Sequence, residues 1–223
     1  MEKLETVERY SVLARVLHWV HVAAFVTLAV TGTILYVRAF GVVAQDSWTR
    51  VIHRIAVVFF VGMPIAFAVF RPRSAIEAIK EGFTWNKEDW GWVTAAPRYY
   101  FLGDEAAMPP QGRVNSGQKL WFLLLAVTAP VFVITGILMW FFQAILPPGV
   151  FQWSVFVHDV AFIATVTFFF VHVYLSALHP LMAGVFGSMT NGRVTKEFAR
   201  SHYGKWLQEK MSHERSEHKQ EPQ

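Results

Sequence analysis

Four stretches of this sequence are long and apolar enough to cross a bilayer, and no other feature limits the fold as strongly. A crossing helix needs about 20 apolar residues. The stretches run from about Val16 to Val37, Val51 to Phe70, Leu120 to Phe142 and Trp153 to Leu178. Asp159 is the one acidic residue inside them. In lipid every backbone polar group must find its partner within the chain, so each stretch is expected to be a helix. Charged residues make up 16% of the 223-residue chain, against about 25% in soluble domains. The fold class expected is therefore an all-α membrane protein, a four-transmembrane-helix bundle.

Lys and Arg orient the bundle. Of the 20 such residues, only Arg38, Arg50 and Arg54 fall on one side; the N-terminal segment, the loop from about Arg71 to Gln118 and the C-terminal segment hold the rest. Positive charge collects on the cytoplasmic side, which puts both termini and the long loop there. The net charge of +4 reads as this orientation signal and not as a nucleic-acid surface. The first apolar block is longer than the core of a cleavable leader. Residues 1–210 read as one membrane domain and residues 211–223 as a polar, mobile tail. The long loop carries Trp85, Trp90, Trp92, Tyr99, Tyr100 and Phe101 among charges. It reads as ordered, either resting on lipid headgroups or contacting a partner.

Cysteine is absent. Disulfides, zinc thiolates, iron–sulfur ligation and thiolate-bound haem are excluded within the chain. A metal held here must use His, Met or carboxylates.

Ionisable residues inside a membrane are costly and usually functional. His18, His21, His53, His158 and His172 lie in or at the spans, and His179 lies just beyond the fourth. His158 and His172 are 14 residues apart on one helix, a rotation about 40° short of four full turns, so they share a face about 21 Å apart along the axis. The topology brings His18 to the depth of His172 and His53 to the depth of His158. Neutral imidazole ligates haem iron, and two imidazoles on one iron suit one-electron transfer. Two haems, one near each membrane face, would carry electrons across. His21 competes with His18 on position alone. A single membrane histidine is as often an interhelical hydrogen-bond partner; four that pair by depth and face are not well explained that way.

Gly32 follows His18 by 14 residues and so shares its face. Gly136 sits in the third span, also after a Thr. A missing side chain lets a flat macrocycle approach the backbone, although small residues also serve helix packing.

These residues resemble the gamma subunit of membrane-bound respiratory formate dehydrogenase, a di-haem cytochrome b. The likeness rests on Leu17-His18-Trp19, Ile52-His53-Arg54, Asn115-Ser116-Gly117-Gln118-Lys119, Val157-His158 and Val171-His172-Val173-Tyr174. It continues through Gly192-Arg193-Val194, Ala199-Arg200 and Trp206. The resemblance implies His18, not His21, as first ligand. It implies two haem b groups, the outer on His53 and His158 and the inner on His18 and His172. It also implies a quinone site, with menaquinone as acceptor, at Asn115, Gly117 and Gln118 on the cytoplasmic side. Ser116 stands where the family commonly has Ala. The segment also reads as a helix N-terminus capped by Asn115 or Ser116. The partners implied are an iron–sulfur (beta) subunit and a molybdenum or tungsten catalytic (alpha) subunit, in a bacterial cytoplasmic (inner) membrane, with larger assemblies in the family. The chain itself would perform no formate chemistry. An equivalent cytochrome b serving a nickel–iron hydrogenase or a thiosulfate or polysulfide reductase has the same histidine geometry. A haem-free four-helix transporter would need polar residues along the spans, and they are sparse.

Overall fold

The computed structural model describes residues 5–41, 47–104, 106 and 108–218. Four helices are long and apolar enough to cross a membrane. They are α1 (Val12–Tyr36), α2 (Ser47–Phe70), α5 (Ser116–Phe141) and α6 (Pro148–Val173), the last continued by a π-helical turn over Tyr174–Leu178. Between the second and third lie α3 (Pro72–Phe83) and α4 (Lys87–Leu102). After the fourth come α7 (Ala183–Thr190), α8 (Lys196–His202) and α9 (Gly204–His218), with strands β1 (Thr6–Glu8) and β2 (Arg193–Thr195) pairing antiparallel. The tail expected from residue 211 begins inside α9; residues beyond His218 lie outside the described residues.

The chain divides into two compact units. The membrane unit holds Val16–Ala78 and Phe122–His172. Its helices expose apolar side chains on their outer surfaces, among them Val58, Ile65, Val127, Ile134, Phe156 and Phe170. In water this would be a severe cost, whereas against lipid it is the required surface. Inside, the helices meet in a ring. Phe25 of α1 packs on Phe60 of α2 and on Phe169 of α6. Arg54 of α2 places its guanidinium 4.7 Å from the Trp140 ring centroid of α5. The protein is thus a multi-pass, all-α membrane bundle.

The second unit holds Met1–Arg15, Ile79–Trp121 and Val173–Gln223. Its apolar core joins Val7, Tyr99, Met182, Val194, Tyr203 and Leu207. Gly192 makes the turn into β2 with φ of 85°, a left-handed conformation that side chains resist. Its carbonyl accepts from Arg9 N at 2.8 Å, and a Cβ there would lie 2.7 Å from Tyr10 O. The aromatic loop is ordered. Asn86 caps α4 reciprocally with Asp89, Trp92 and Tyr99 are buried, and Trp90 and Phe101 face outward.

Candidate functional site

All four expected haem ligands lie in the membrane unit, and each is half-buried. His53 sits in the first half of α2 and meets Thr31 of α1, with Nδ1 to Oγ1 of 2.8 Å. The Thr31 hydroxyl also lies 2.7 Å from Thr27 O, one turn back on its own helix. A hydroxyl has one hydrogen, and a carbonyl can only accept. Thr31 donating to the backbone and accepting from His53 satisfies both contacts at once, and on that ground the proton is assigned to Nδ1. The His53 Nε2 is left with a bare lone pair.

The arrangement recurs on the other two helices. Thr135 of α5 donates to Val131 O at 2.6 Å and lies 2.8 Å from His158 Nδ1 on α6. The same assignment puts the His158 lone pair on Nε2. A neutral imidazole with Nδ1 tied to an acceptor and Nε2 free is the form that ligates iron. These donors fit a haem held between two histidines.

His53 and His158 lie near one another in the membrane unit, as do His18 and His172. Among the described residues, no group of three or more His, Asp or Glu could enclose a bare metal ion. A haem, which brings four nitrogens of its own, needs only the pairs.

Gly32 and Gly136 follow the two threonines directly. A Cβ on Gly32 would come within 3.3 Å of the Phe162 ring and 3.8 Å of His53 Cε1. A Cβ on Gly136 would meet nothing within 4 Å. One glycine admits side chains and the other borders open space.

The remaining histidines have different surroundings. His21 stacks on Phe60 with ring centroids 4.2 Å apart. His179, which sequence alone leaves just beyond the fourth span, is buried and donates from Nε2 to Tyr100 O at 3.2 Å.

Asn115, Gly117 and Gln118 lie together at the start of α5, in the second unit. Gln118 N donates to Asn115 Oδ1 at 2.9 Å, and Asn115 N donates to Gln118 Oε1 at 3.0 Å. This is a reciprocal cap, with Asn115 as the capping residue. Gly117 lies under Trp92, where a Cβ would fall 2.8 Å from the indole Cη2. Ser116 is fully buried. Its hydroxyl lies 2.8 Å from an Asp89 oxygen, a bond that Ala could not make. Lys119 places its ammonium 2.8 Å from the other Asp89 oxygen and 2.9 Å from Thr84 O. Burial alone would raise the Asp89 pKa. The hydrogen bonds from Lys119, the Asn86 amide and Ser116 outweigh it and hold the carboxyl below its ordinary range.

Sequence reasoning missed Asp89 and the cleft beside Asn115. That cleft is lined by Trp92, Tyr99, Tyr100, Asn115, Met182 and His202. Tyr99 Oη and His202 Nε2 are hydrogen-bonded at 2.6 Å. Burial and the neighbouring Tyr99 and Tyr203 hydroxyls keep the Tyr100 phenol protonated well beyond its usual range. The only local signal was the Asn86-to-Asp89 capping pattern; the other partners are too distant in sequence to be read.

Comparison with known proteins agrees with the motifs. The cytochrome b556(fdo) subunit of formate dehydrogenase from Escherichia coli K12 is 24% identical over 216 residues, covering 94% of this chain and 95% of that protein. The nitrate-inducible cytochrome b556(Fdn) subunit from the same organism is 24% identical over 212 residues, covering 94% of each. The formate dehydrogenase cytochrome b556 subunit of Haemophilus influenzae is 25% identical over 205 residues, covering 91% and 83%. The family model for prokaryotic cytochrome b561 matches residues 9–192, a span that takes in all four membrane helices and His18, His53, His158 and His172. By that match over most of its length, this chain belongs to the prokaryotic cytochrome b561 family, a family of haem b membrane proteins.

Proposed function

We propose that this chain is the membrane-anchoring di-haem cytochrome b subunit of a formate dehydrogenase complex. It receives electrons from an iron–sulfur subunit and delivers them to a quinone at the cytoplasmic face. The observation that carries this reading is that His53 and His158 each meet a threonine hydroxyl through Nδ1 at 2.8 Å. The names and near-full coverage of the relatives support the choice of enzyme.

When bound, the two haems supply one-electron carriage. The chain's own residues do the rest. His53 and His158 hold one group, and His18 and His172 hold the other. Gly32 and Gly136 keep the helix surface low beside them. Asn115, Gly117 and Gln118 shape the quinone end, and the cleft that Asn115 shares with Tyr99, Tyr100 and His202 supports a flat polar headgroup there. Both termini lie on the cytoplasmic side of a bacterial inner membrane. The molybdenum or tungsten subunit, on the opposite side, performs the formate chemistry, and several such complexes can associate.

The test is purification from the native membrane under mild detergent. An iron–sulfur protein and a molybdenum- or tungsten-containing protein should co-purify. Formate should then reduce two b-type haems per copy of this chain. Co-purification with a nickel–iron hydrogenase or a sulfur-compound reductase would move the chain to a different enzyme. A preparation without haem absorbance would overturn the cytochrome reading itself.

A further inference from the structure

Two unconnected pairs of helices repeat one device. In each, a threonine followed by glycine on one helix contacts a histidine on the next: Thr31-Gly32 with His53, and Thr135-Gly136 with His158. The two Oγ1 to Nδ1 distances are both 2.8 Å. Both threonines are 6% exposed, and both use their hydrogen on a carbonyl one turn back.

The chemistry of the device follows from that hydrogen. While its hydrogen is on the carbonyl, each threonine accepts from its histidine and so favours the tautomer protonated at Nδ1. With Nδ1 carrying the proton, Nε2 faces away as the electron-pair donor. Acceptance at Nδ1–H also pushes electron density toward Nε2 and makes it the stronger base. A stronger donor favours ferric over ferrous iron, and outer hydrogen bonding is one of the recognised levers on haem potential. If His53 and His158 held one iron, both hydrogen bonds would act on it.

We infer that Thr31 and Thr135 are positioning residues that together set the tautomer of His53 and His158 and lower the potential of the haem between them. The inference rests on the reading that these two histidines share a haem. Low potential at this centre suits a group that hands electrons on. Each threonine is followed by a glycine, Gly136 bordering open space and Gly32 lying against Phe162.

The test uses the intact complex carrying Thr31→Val, Thr135→Val and both together, with Thr31→Ser and Thr135→Ser as controls. Val keeps the shape and removes the acceptor; Ser restores the acceptor and removes a methyl. Haem content and optical redox titration of the reduced band are measured, with electron paramagnetic resonance g-values of the ferric form. Each Val variant should raise the ferrous-to-ferric ratio of one haem roughly three- to tenfold at fixed potential, about 28 to 59 mV at 59 mV per tenfold. The double variant should shift further, the second haem should not move, and the Ser variants should return to the wild-type value. An unshifted potential with both haems present would overturn the inference. If Val variants lose a haem, Ser variants that keep it at its native potential support the inference, and Ser variants that also lose it overturn it. Failure of the underlying reading looks different: His53→Ala would then retain both haems.

Discussion

The Lys119 ammonium rests 2.8 Å from the Asp89 carboxylate, with side chains only 9% and 4% exposed. The pair ties the start of α5 to the start of α4, next to the reciprocal cap formed by Asn115 and Gln118. Removing one partner of a buried pair leaves an uncompensated charge and costs about 3–5 kcal/mol. Lys119→Met should therefore lower the thermal midpoint of the detergent-solubilised protein markedly. The double change with Asp89→Asn should recover part of the loss, as a double-mutant cycle would show.

The same pair has a pH signature. Asp89 has a depressed pKa in the folded chain. Its contribution to stability is fully present above the unfolded aspartate value of about 3.9 and is lost as pH falls through the lower folded value. The difference in thermal midpoint between wild type and Asp89→Asn should stay constant from neutrality to about pH 5 and shrink below that range. A difference that already shrinks between pH 7 and pH 5 would contradict the assignment.

Gly117 has no room for a side chain, because a Cβ would stand 2.8 Å from Trp92 Cη2. Gly117→Ala should cost about 1–3 kcal/mol through overpacking. It should slow quinone reduction while leaving haem reduction by the donor intact. In a Trp92→Phe background the same change should cost less, since the clashing atom is gone. Stopped-flow absorbance separates the two electron-transfer steps.

His53→Ala and His158→Ala should each remove the same haem and leave one per chain, while His18→Ala and His172→Ala should remove the other. Pyridine haemochrome quantitation gives the count, and redox titration shows which centre survives. Two haems in any of the four variants would break that pairing.

His21→Phe should keep both haems. The His21 ring stacks on Phe60 at 4.2 Å, and a phenyl ring can occupy the same place. Loss of a haem in this variant, with retention in His18→Ala, would reverse the choice between them.

The four spans were legible because lipid demands long uninterrupted apolar runs. Their helical limits were less so. The α2, α5 and α6 helices begin at Ser47, Ser116 and Pro148, several residues before the apolar runs at Val51, Leu120 and Trp153. Hydropathy marks where hydrocarbon begins, whereas a cap such as Asn115 or an N-terminal Pro148 marks where the helix begins. Helical phase put His158 and His172 on one face, topology gave each an expected partner, and only the family resemblance chose His18 over His21. The threonines were not legible, since Thr31 lies 22 residues from His53 and Thr135 lies 23 from His158. Both also fit the ordinary pattern of small polar residues in membrane helices. Asp89 and Lys119, 30 residues apart, carry no periodic signal. In the aromatic loop, composition could not tell buried Trp92 from exposed Trp90, because that choice depends on which segments pack against α4.

Strand β1 pairs with β2 across nearly the whole chain, Val7 opposite Val194. This pairing imposes an order on synthesis. When Val7 leaves the ribosome its partner does not yet exist, and all four spans must be made before it does. The strand stays unpaired throughout insertion, and the second unit can close only behind a completed set of crossings. A ribosome that stalls between Leu178 and Val194 leaves a chain with all four spans made but without the strand pair that closes this unit.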